Sequence, residues 1–237
     1  MDRPYPQAID EQTLPDFPAA TRTNDPSGHG VGLPLGARSP RYAGANAVAI
    51  KEALARLAPL HDHLCPRQVL GVRIGLHAAA LLRVLVPQAD NRLNAFVETD
   101  GCFADGVMVA TGCSLGHRTM RLVDHGKAAA TLLDTETGRA VRMWPHESAR
   151  AWSVAYAPDA PDRWHAQLHG YRTMPVESLL RSSFVQVPEP SARSVLHPPP
   201  RIRCDACGEE VMNGREVVEV GVTRCRACAG DQYWTPA

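Results

Sequence analysis

Residues 61–85 read HDHLCPRQVLGVRIGLHAAALLRVL, and this stretch decides the fold. Pro66 suits the first position of a helix, because the N–H it lacks is one that a helix start leaves unpaired anyway. Leu70, Ile74, Ala78, Leu81 and Leu85 then recur on one face at helical spacing, which predicts a helix from Pro66 to about Leu85. Gly71, Gly75 and Ala79 form a second row, four residues apart. Each glycine costs a helix about 1 kcal/mol relative to alanine, so two on one line predict a close packing contact in the core rather than a membrane-type dimer motif. Upstream, an extended segment would turn His61, His63 and Cys65 to one side. Cys65 falls at or beside the N-cap, where the helix dipole and free N–H groups favour a thiolate.

Working outward, a shorter helix is predicted from Ala45 to Leu57, with Val48, Leu54 and Leu57 near helical spacing. Downstream the pattern changes to strands over Leu93–Thr99 and Gly106–Thr111. Two more, Ala128–Leu133 and Arg139–Trp144, flank Asp134-Thr135-Glu136-Thr137-Gly138, a hairpin turn ending in a glycine that can take positive φ. Helices are predicted over Glu147–Ala155, Asp162–Tyr171 and Val176–Arg181, and a last strand over Phe184–Val187. The fold class is α+β, a mixed or antiparallel sheet with packed helices, followed by a small zinc-ribbon or treble-clef-like module. The expected divisions are a flexible tail over 1–45, a core over 46–187, a proline-rich linker over 188–200 and the module over 201–237.

The totals exclude several classes. Lys and Arg total 25 and Asp and Glu total 25 in 237 residues, so no global charge argues for nucleic acid or an acidic membrane. No apolar run is long enough to span a bilayer. Met1-Asp2-Arg3-Pro4 lacks the basic start and apolar run of a signal peptide. Seven cysteines is an odd number with metal-type spacings, which fits a reducing cytoplasm better than a disulfide scaffold.

Four of those cysteines form two Cys-x-x-Cys knuckles, Cys204/Cys207 and Cys225/Cys228, seventeen residues apart. Each knuckle supplies two thiolates from one tight turn, and zinc takes four in a tetrahedron. Rubredoxin-like iron or a redox dithiol are the weaker readings. Val217-Val218-Glu219-Val220 with Gly221 predicts a hairpin between the knuckles. Over 201–237 five arginines face six carboxylates, so the module has no basic footprint for phosphate backbones. A structural or protein-docking role is expected.

The other three cysteines lie in the core. Asp100-Gly101-Cys102-Phe103 and Thr111-Gly112-Cys113-Ser114 each set a cysteine beside a glycine at a predicted strand end, where side chains can face a cleft. A lone cysteine or histidine is most often an ordinary core or surface residue. His77, His125, His146, His165, His169 and His197 are therefore assigned no role, whereas His61, His63 and Cys65 form a cluster of ligand types before a helix start.

His61-Asp62-His63-Leu64-Cys65-Pro66 with Gly71 and Gly75, then residues 98–106 (ETDGCFADG), Ala110-Thr111-Gly112-Cys113-Ser114-Leu115-Gly116 and Asp124-His125-Gly126-Lys127 together resemble the FmdE family of formylmethanofuran dehydrogenase proteins. The resemblance covers about residues 46–187 plus 201–230 and implies an α+β core followed by a four-cysteine zinc module. It implies functional roles for His61, His63, Cys65, Asp100, Cys102, Asp105, Cys113 and Lys127. Asp62 and Arg67 replace usual glycines, and His117 stands where lysine or asparagine is commoner; Asp62 would add a carboxylate and His117 an extra ligand. The family name implies association with a molybdenum or tungsten oxidoreductase of one-carbon metabolism.

Three functions compete. The first is a metal-binding accessory protein in which His61, His63 and Cys65, with Cys102 or Cys113, hold a second transition metal of unknown identity beside the structural zinc. Its partner would be such an oxidoreductase or another protein, with a homodimer left open. The second is an enzyme with Cys65 or Cys113 as thiolate nucleophile, His63 or His61 as base, and Asp100, Asp105 or Lys127 positioning a small polar substrate. The third is an interaction protein whose zinc module docks a partner and whose core site is vestigial. Metal stoichiometry separates them: two metals, one metal plus a reactive thiol, or one metal with inert core cysteines.

Overall fold

The computed structural model describes residues 47–188 and 200–235; the expected tail, and residues 189–199 of the expected linker, lie outside the described residues. Helix α1 (Ala47–Leu57) buries Ile50, Ala53, Leu54 and Leu57. Helix α2 (Pro66–Leu82) opens on Cys65 as N-cap, with Pro66 in the first turn. The Cys65 N–H donates to Gln68 Oε1 at 2.6 Å, and the Gln68 N–H returns to the Cys65 side chain. This reciprocal pairing satisfies two donors that the helix start would leave bare. The helix ends three residues short of Leu85 because Arg83 turns left-handed (φ 61°) and closes the last turn on the Ala79 and Ala80 carbonyls.

Helix α3 (Cys102–Thr111) corrects the expected strand over Gly106–Thr111. Val107 and Val109 make that run strand-like, but packing against α2 decides it. A Cβ on Gly71 would lie 2.9 Å from Val107 N and 3.0 Å from Gly106 Cα, and one on Gly75 2.8 Å from Ala110 Cβ. Glycine thus faces glycine and the two backbones touch. The glycine row marks a close approach, as expected, and the partner is α3.

Five strands form one sheet in the order β2-β1-β3-β4-β5: β1 (Leu93–Val97), β2 (Met120–Leu122), β3 (Ala130–Asp134), β4 (Ala140–Pro145) and β5 (Leu180–Val185). β1 and β2 run parallel and the other pairs antiparallel. Helices packed on a mixed sheet are as expected. The parallel strand β2 went unforeseen, since three residues are too few to show alternation. Leu93, Ala95, Val97, Leu132, Val141 and Met143 face the helices and join the main core, while Phe96, Leu133 and Ala140 cluster on the opposite face.

The lower helices are α4 (Ala149–Trp152), α5 (Arg163–Thr173) and α6 (Val176–Leu179), the last ending early so that β5 starts at Leu180. Arg73 of α2 is buried and donates to the Tyr171 carbonyl (2.7 Å) and the Met174 carbonyl (2.8 Å), closing the end of α5. Burial lowers its pKa to about 10, which still leaves it charged at neutral pH.

The expected β3–β4 hairpin turns on Asp134, with Gly138 at φ 69°. The fully buried Asp134 carboxylate takes a two-pronged bond from Arg92 (2.8 and 2.8 Å) and further bonds from Thr137 Oγ1 (2.7 Å) and the Glu136 N–H (3.1 Å). These donors, Arg92 first, hold its pKa at about 2 against an ordinary 3.8. A depressed carboxylate stabilises the fold above its unfolded pKa and loses that contribution as pH falls through the folded value. Arg92→Met should therefore cost on the order of 1–2 kcal/mol at pH 7. The gap between variant and parent urea midpoints should close as pH drops from about 4 toward 2; a gap constant with pH would contradict the pairing.

The C-terminal module has two small hairpins, β6 (Ile202–Arg203) with β7 (Glu210–Val211), and β8 (Val217–Glu219) with β9 (Val222–Arg224). The second is the hairpin expected between the knuckles. All described residues fall in one compact unit. Among them no helix is long and apolar enough to cross a membrane.

Candidate functional site

Cys204 and Cys207 follow β6, and Cys225 and Cys228 follow β9. Gly208 (φ 75°) and Gly230 (φ 106°) turn the chain after each knuckle. The four sulfurs lie within 4.8 Å of one another, and Cys207 Sγ is 4.0 Å from Cys225 Sγ. A tetrahedron with Zn–S of about 2.3 Å needs sulfurs about 3.8 Å apart, so the residues fit the ion. The Cys225 N–H donates to Cys204 Sγ (3.2 Å) and the Cys228 N–H to Cys225 Sγ (3.4 Å). Donors from the Cys207 and Cys225 backbone bring the Cys204 thiol down to about 6. The neighbouring Cys225 and Cys207 sulfurs push Cys228 up to about 12. Four sulfurs this close resist joint ionisation until a cation neutralises them. This is a zinc-binding module of the four-cysteine type.

A second gathering lies where the N-termini of α2 and α3 meet. His61 follows a 3₁₀ turn (Ala58–Leu60), and its Nε2 is 2.9 Å from Asp105 Oδ2. The Cys102 thiol neighbours Cys65 and helps to raise the Cys65 pKa. Cys102 opens α3 and Asp105 sits three residues on, so both point from one helical face. His61, Cys65, Cys102 and Asp105 are thereby joined into one patch beneath two helix N-termini, both favouring anionic ligands. Among the described residues, however, only the four knuckle cysteines bring three or more such ligand atoms within 4.8 Å of one another.

Among the remaining expected residues, Cys113 lies apart from this patch. The chain bends at Asp62 and His63, so the alternation that would align His61, His63 and Cys65 is broken, and His63 is exposed. Cys113 follows the left-handed Gly112 at the far end of α3, about 15 Å along a ten-residue helix from Cys102. It is fully buried, donates to the Leu93 carbonyl (3.2 Å) and accepts from Gln88 Nε2 (3.2 Å). Burial raises its pKa to about 11, which suits a core residue and not a nucleophile. Lys127 lies in an exposed loop with its N–H on the Glu98 carbonyl (3.0 Å). Asp62 and Asp100 are exposed, and His117 is exposed against Ser114 Oγ (3.2 Å).

Cys65 departs from its expected chemistry. At 8% exposure, burial pushes the thiol up; the Gln68 N–H opposes this and the Cys102 thiol adds to it. In the metal-free protein, desolvation outweighs the helix N-terminus. The Glu98–Arg142 pair was not foreseen. Glu98 is 7% exposed and takes Arg142 Nε at 2.6 Å and Nη2 at 2.7 Å, a partner 44 residues away in sequence.

Comparisons with known proteins find relatives of both parts of the chain. A family model described as "FmdE, Molybdenum formylmethanofuran dehydrogenase operon" matches residues 60–181. A second, described as a prokaryotic dksA/traR C4-type zinc finger, matches residues 200–233. The chain is 30% identical over 203 residues to a probable S-adenosyl-L-methionine-binding protein of Archaeoglobus fulgidus, covering 76% of this chain and 53% of the relative. It thus spans about half that relative's length. Among solved structures it is similar to a tungsten formylmethanofuran dehydrogenase FmdE-like protein from Syntrophus aciditrophicus. That match has 20% identity and a TM-score of 0.49, over 80% of this chain and 98% of the other.

Proposed function

The chain belongs to the FmdE family, whose model spans more than half of it, and on that premise we propose that it is a metal-binding protein with two centres. The C-terminal four-cysteine module holds a structural zinc. The core patch of His61, Cys65, Cys102 and Asp105 holds a transition metal, and the protein serves a molybdenum or tungsten oxidoreductase of one-carbon metabolism in the cytoplasm. The observation that carries the core assignment is the His61–Asp105 pair (2.9 Å), with Asp105 three residues from Cys102 at the start of α3 and Cys65, whose pKa the Cys102 thiol helps raise, at the start of α2. One imidazole, two sulfurs and a carboxylate are a ligand set for zinc, iron, nickel or copper. The nucleophile reading is weaker, since burial raises the thiols of both Cys65 and Cys113.

Metal analysis of the full chain tests this. The parent should hold about two metals per chain, and Cys204→Ser/Cys225→Ser about one. Adding His61→Ala should remove the remaining metal, while adding His165→Ala should not. His165 is engaged elsewhere, at the N-cap of α5 (Nδ1 to Asp162 Oδ1, 3.0 Å). A double-cysteine variant whose core is folded yet metal-free would refute the core centre.

A further inference from the structure

The sheet has a second face, turned away from the helices. Because Leu93, Ala95 and Val97 point to the helices, Phe96 and Glu98 point the other way. The register sets Arg121 beside Phe96, Phe96 beside Thr131, and Thr131 beside Arg142 in one row across β2, β1, β3 and β4. This row floors a cleft of about 980 Å³, closed on its far side by Asn213, Arg215 and Arg226 of the zinc module. Five arginines line it (Arg118, Arg121, Arg142, Arg215 and Arg226) against two carboxylates, Glu98 and Asp124. Arg142 is consumed by Glu98 (2.6 Å) and held over the Trp144 ring at 5.0 Å. The other four arginines have no ion-pair partner among the described residues. Burial and the Arg215 charge lower the pKa of Arg121, so the two walls of the cleft share one positive field.

Uncompensated guanidinium groups gathered around one cleft repel one another unless an anion joins them. We propose that this cleft binds a phosphate-bearing small molecule, its phosphoryl group between Arg121 and Arg215 and its apolar body on Phe96, Leu122 and Val185. A carboxylate would neutralise one arginine, whereas a phosphate monoester carries nearly two charges and three acceptor oxygens for several guanidinium forks. The volume is at the upper end of the range for small-molecule sites, and the lining mixes arginines with Phe96, Leu122 and Val185, unlike a continuous basic track for nucleic acid. The site lies on the face of the sheet opposite α2 and α3 and does not depend on a core metal.

The test uses the full zinc-loaded chain and 1-naphthyl phosphate, followed by its fluorescence and competed with inorganic phosphate. Saturable binding of one probe per chain is expected. Arg121→Gln and Arg215→Gln should each weaken it at least about tenfold, and Arg163→Gln, an exposed arginine outside the cleft, should leave it unchanged. 1-Naphthoate should bind at least about tenfold more weakly than the phosphate. Absent or non-saturable binding, or binding indifferent to the two arginine variants, overturns the proposal. Equal binding of the carboxylate removes the phosphoryl assignment. Tighter binding of a single-stranded oligonucleotide through the same arginines would make the ligand nucleic acid and also overturn it.

Discussion

Cys204→Ser in the full chain should unfold residues 200–235 and leave the helical signal of the core in place. Among the described residues of the module, only Cys204 and Val211 count as buried apolar residues. A segment under about 40 residues with so little interior has no core to fold on, so its stability comes from the metal. Structural zinc of this type supplies roughly 10–16 kcal/mol at neutral pH. Serine removes one ligand and also the sulfur that accepts the Cys225 N–H, which couples the two knuckles. The readout is hydrogen exchange of the β8–β9 ladder, where Val217 pairs with Arg224 and Glu219 with Val222. Those amides should lose protection in the variant, and equally in the parent after a strong chelator, while amides of α2 and β1 keep theirs. Protection that survives in Cys204→Ser would mean the hairpins fold without the ion.

What the sequence made legible was whatever chemistry is local. The two knuckles needed only their spacing. Pro66 announced the start of α2 because a helix start is built within a few residues. The turn from Asp134 to Gly138 carried its own glycine. What stayed hidden was non-local. Gly106–Thr111 looks like a strand in isolation and becomes helix only against the glycines of α2. Misreading it put Cys102 and Cys113 at the ends of separate strands and made both seem available to one site. Once the segment is a helix, a ten-residue span separates them and Asp105 takes the place beside His61. The Glu98–Arg142 pair and the row from Arg121 to Arg142 depend on strand register, which no spacing along the chain reveals. Cys65 shows the limit of a local electrostatic argument: its helix position favours a thiolate, yet its burial decides otherwise.

The sharpest test of this architecture is Gly71→Ala. In a free helix that change would gain about 1 kcal/mol, since alanine is the better helix former. Here the added methyl would press on the Phe103 carbonyl and lie 2.9 Å from Val107 N. Both are backbone atoms of α3, which cannot swing aside as a flexible side chain would. The two helices must separate, and the variant should lose about 3 kcal/mol or more. Gly116→Ala is the control, because its Cβ meets nothing within 4 Å and its φ is not in the left-handed region; it should shift the urea midpoint little. A chemical consequence follows from the same displacement. α3 carries Cys102 and Asp105, and α2 starts at Cys65, so helices forced apart also part the residues proposed to share a core metal. Gly71→Ala should therefore lower the core metal content, measured in the Cys204→Ser/Cys225→Ser background so that the C-terminal zinc does not contribute. An unchanged midpoint would contradict the backbone contact itself. A destabilised variant with full core metal would show instead that the metal does not bridge the two helices.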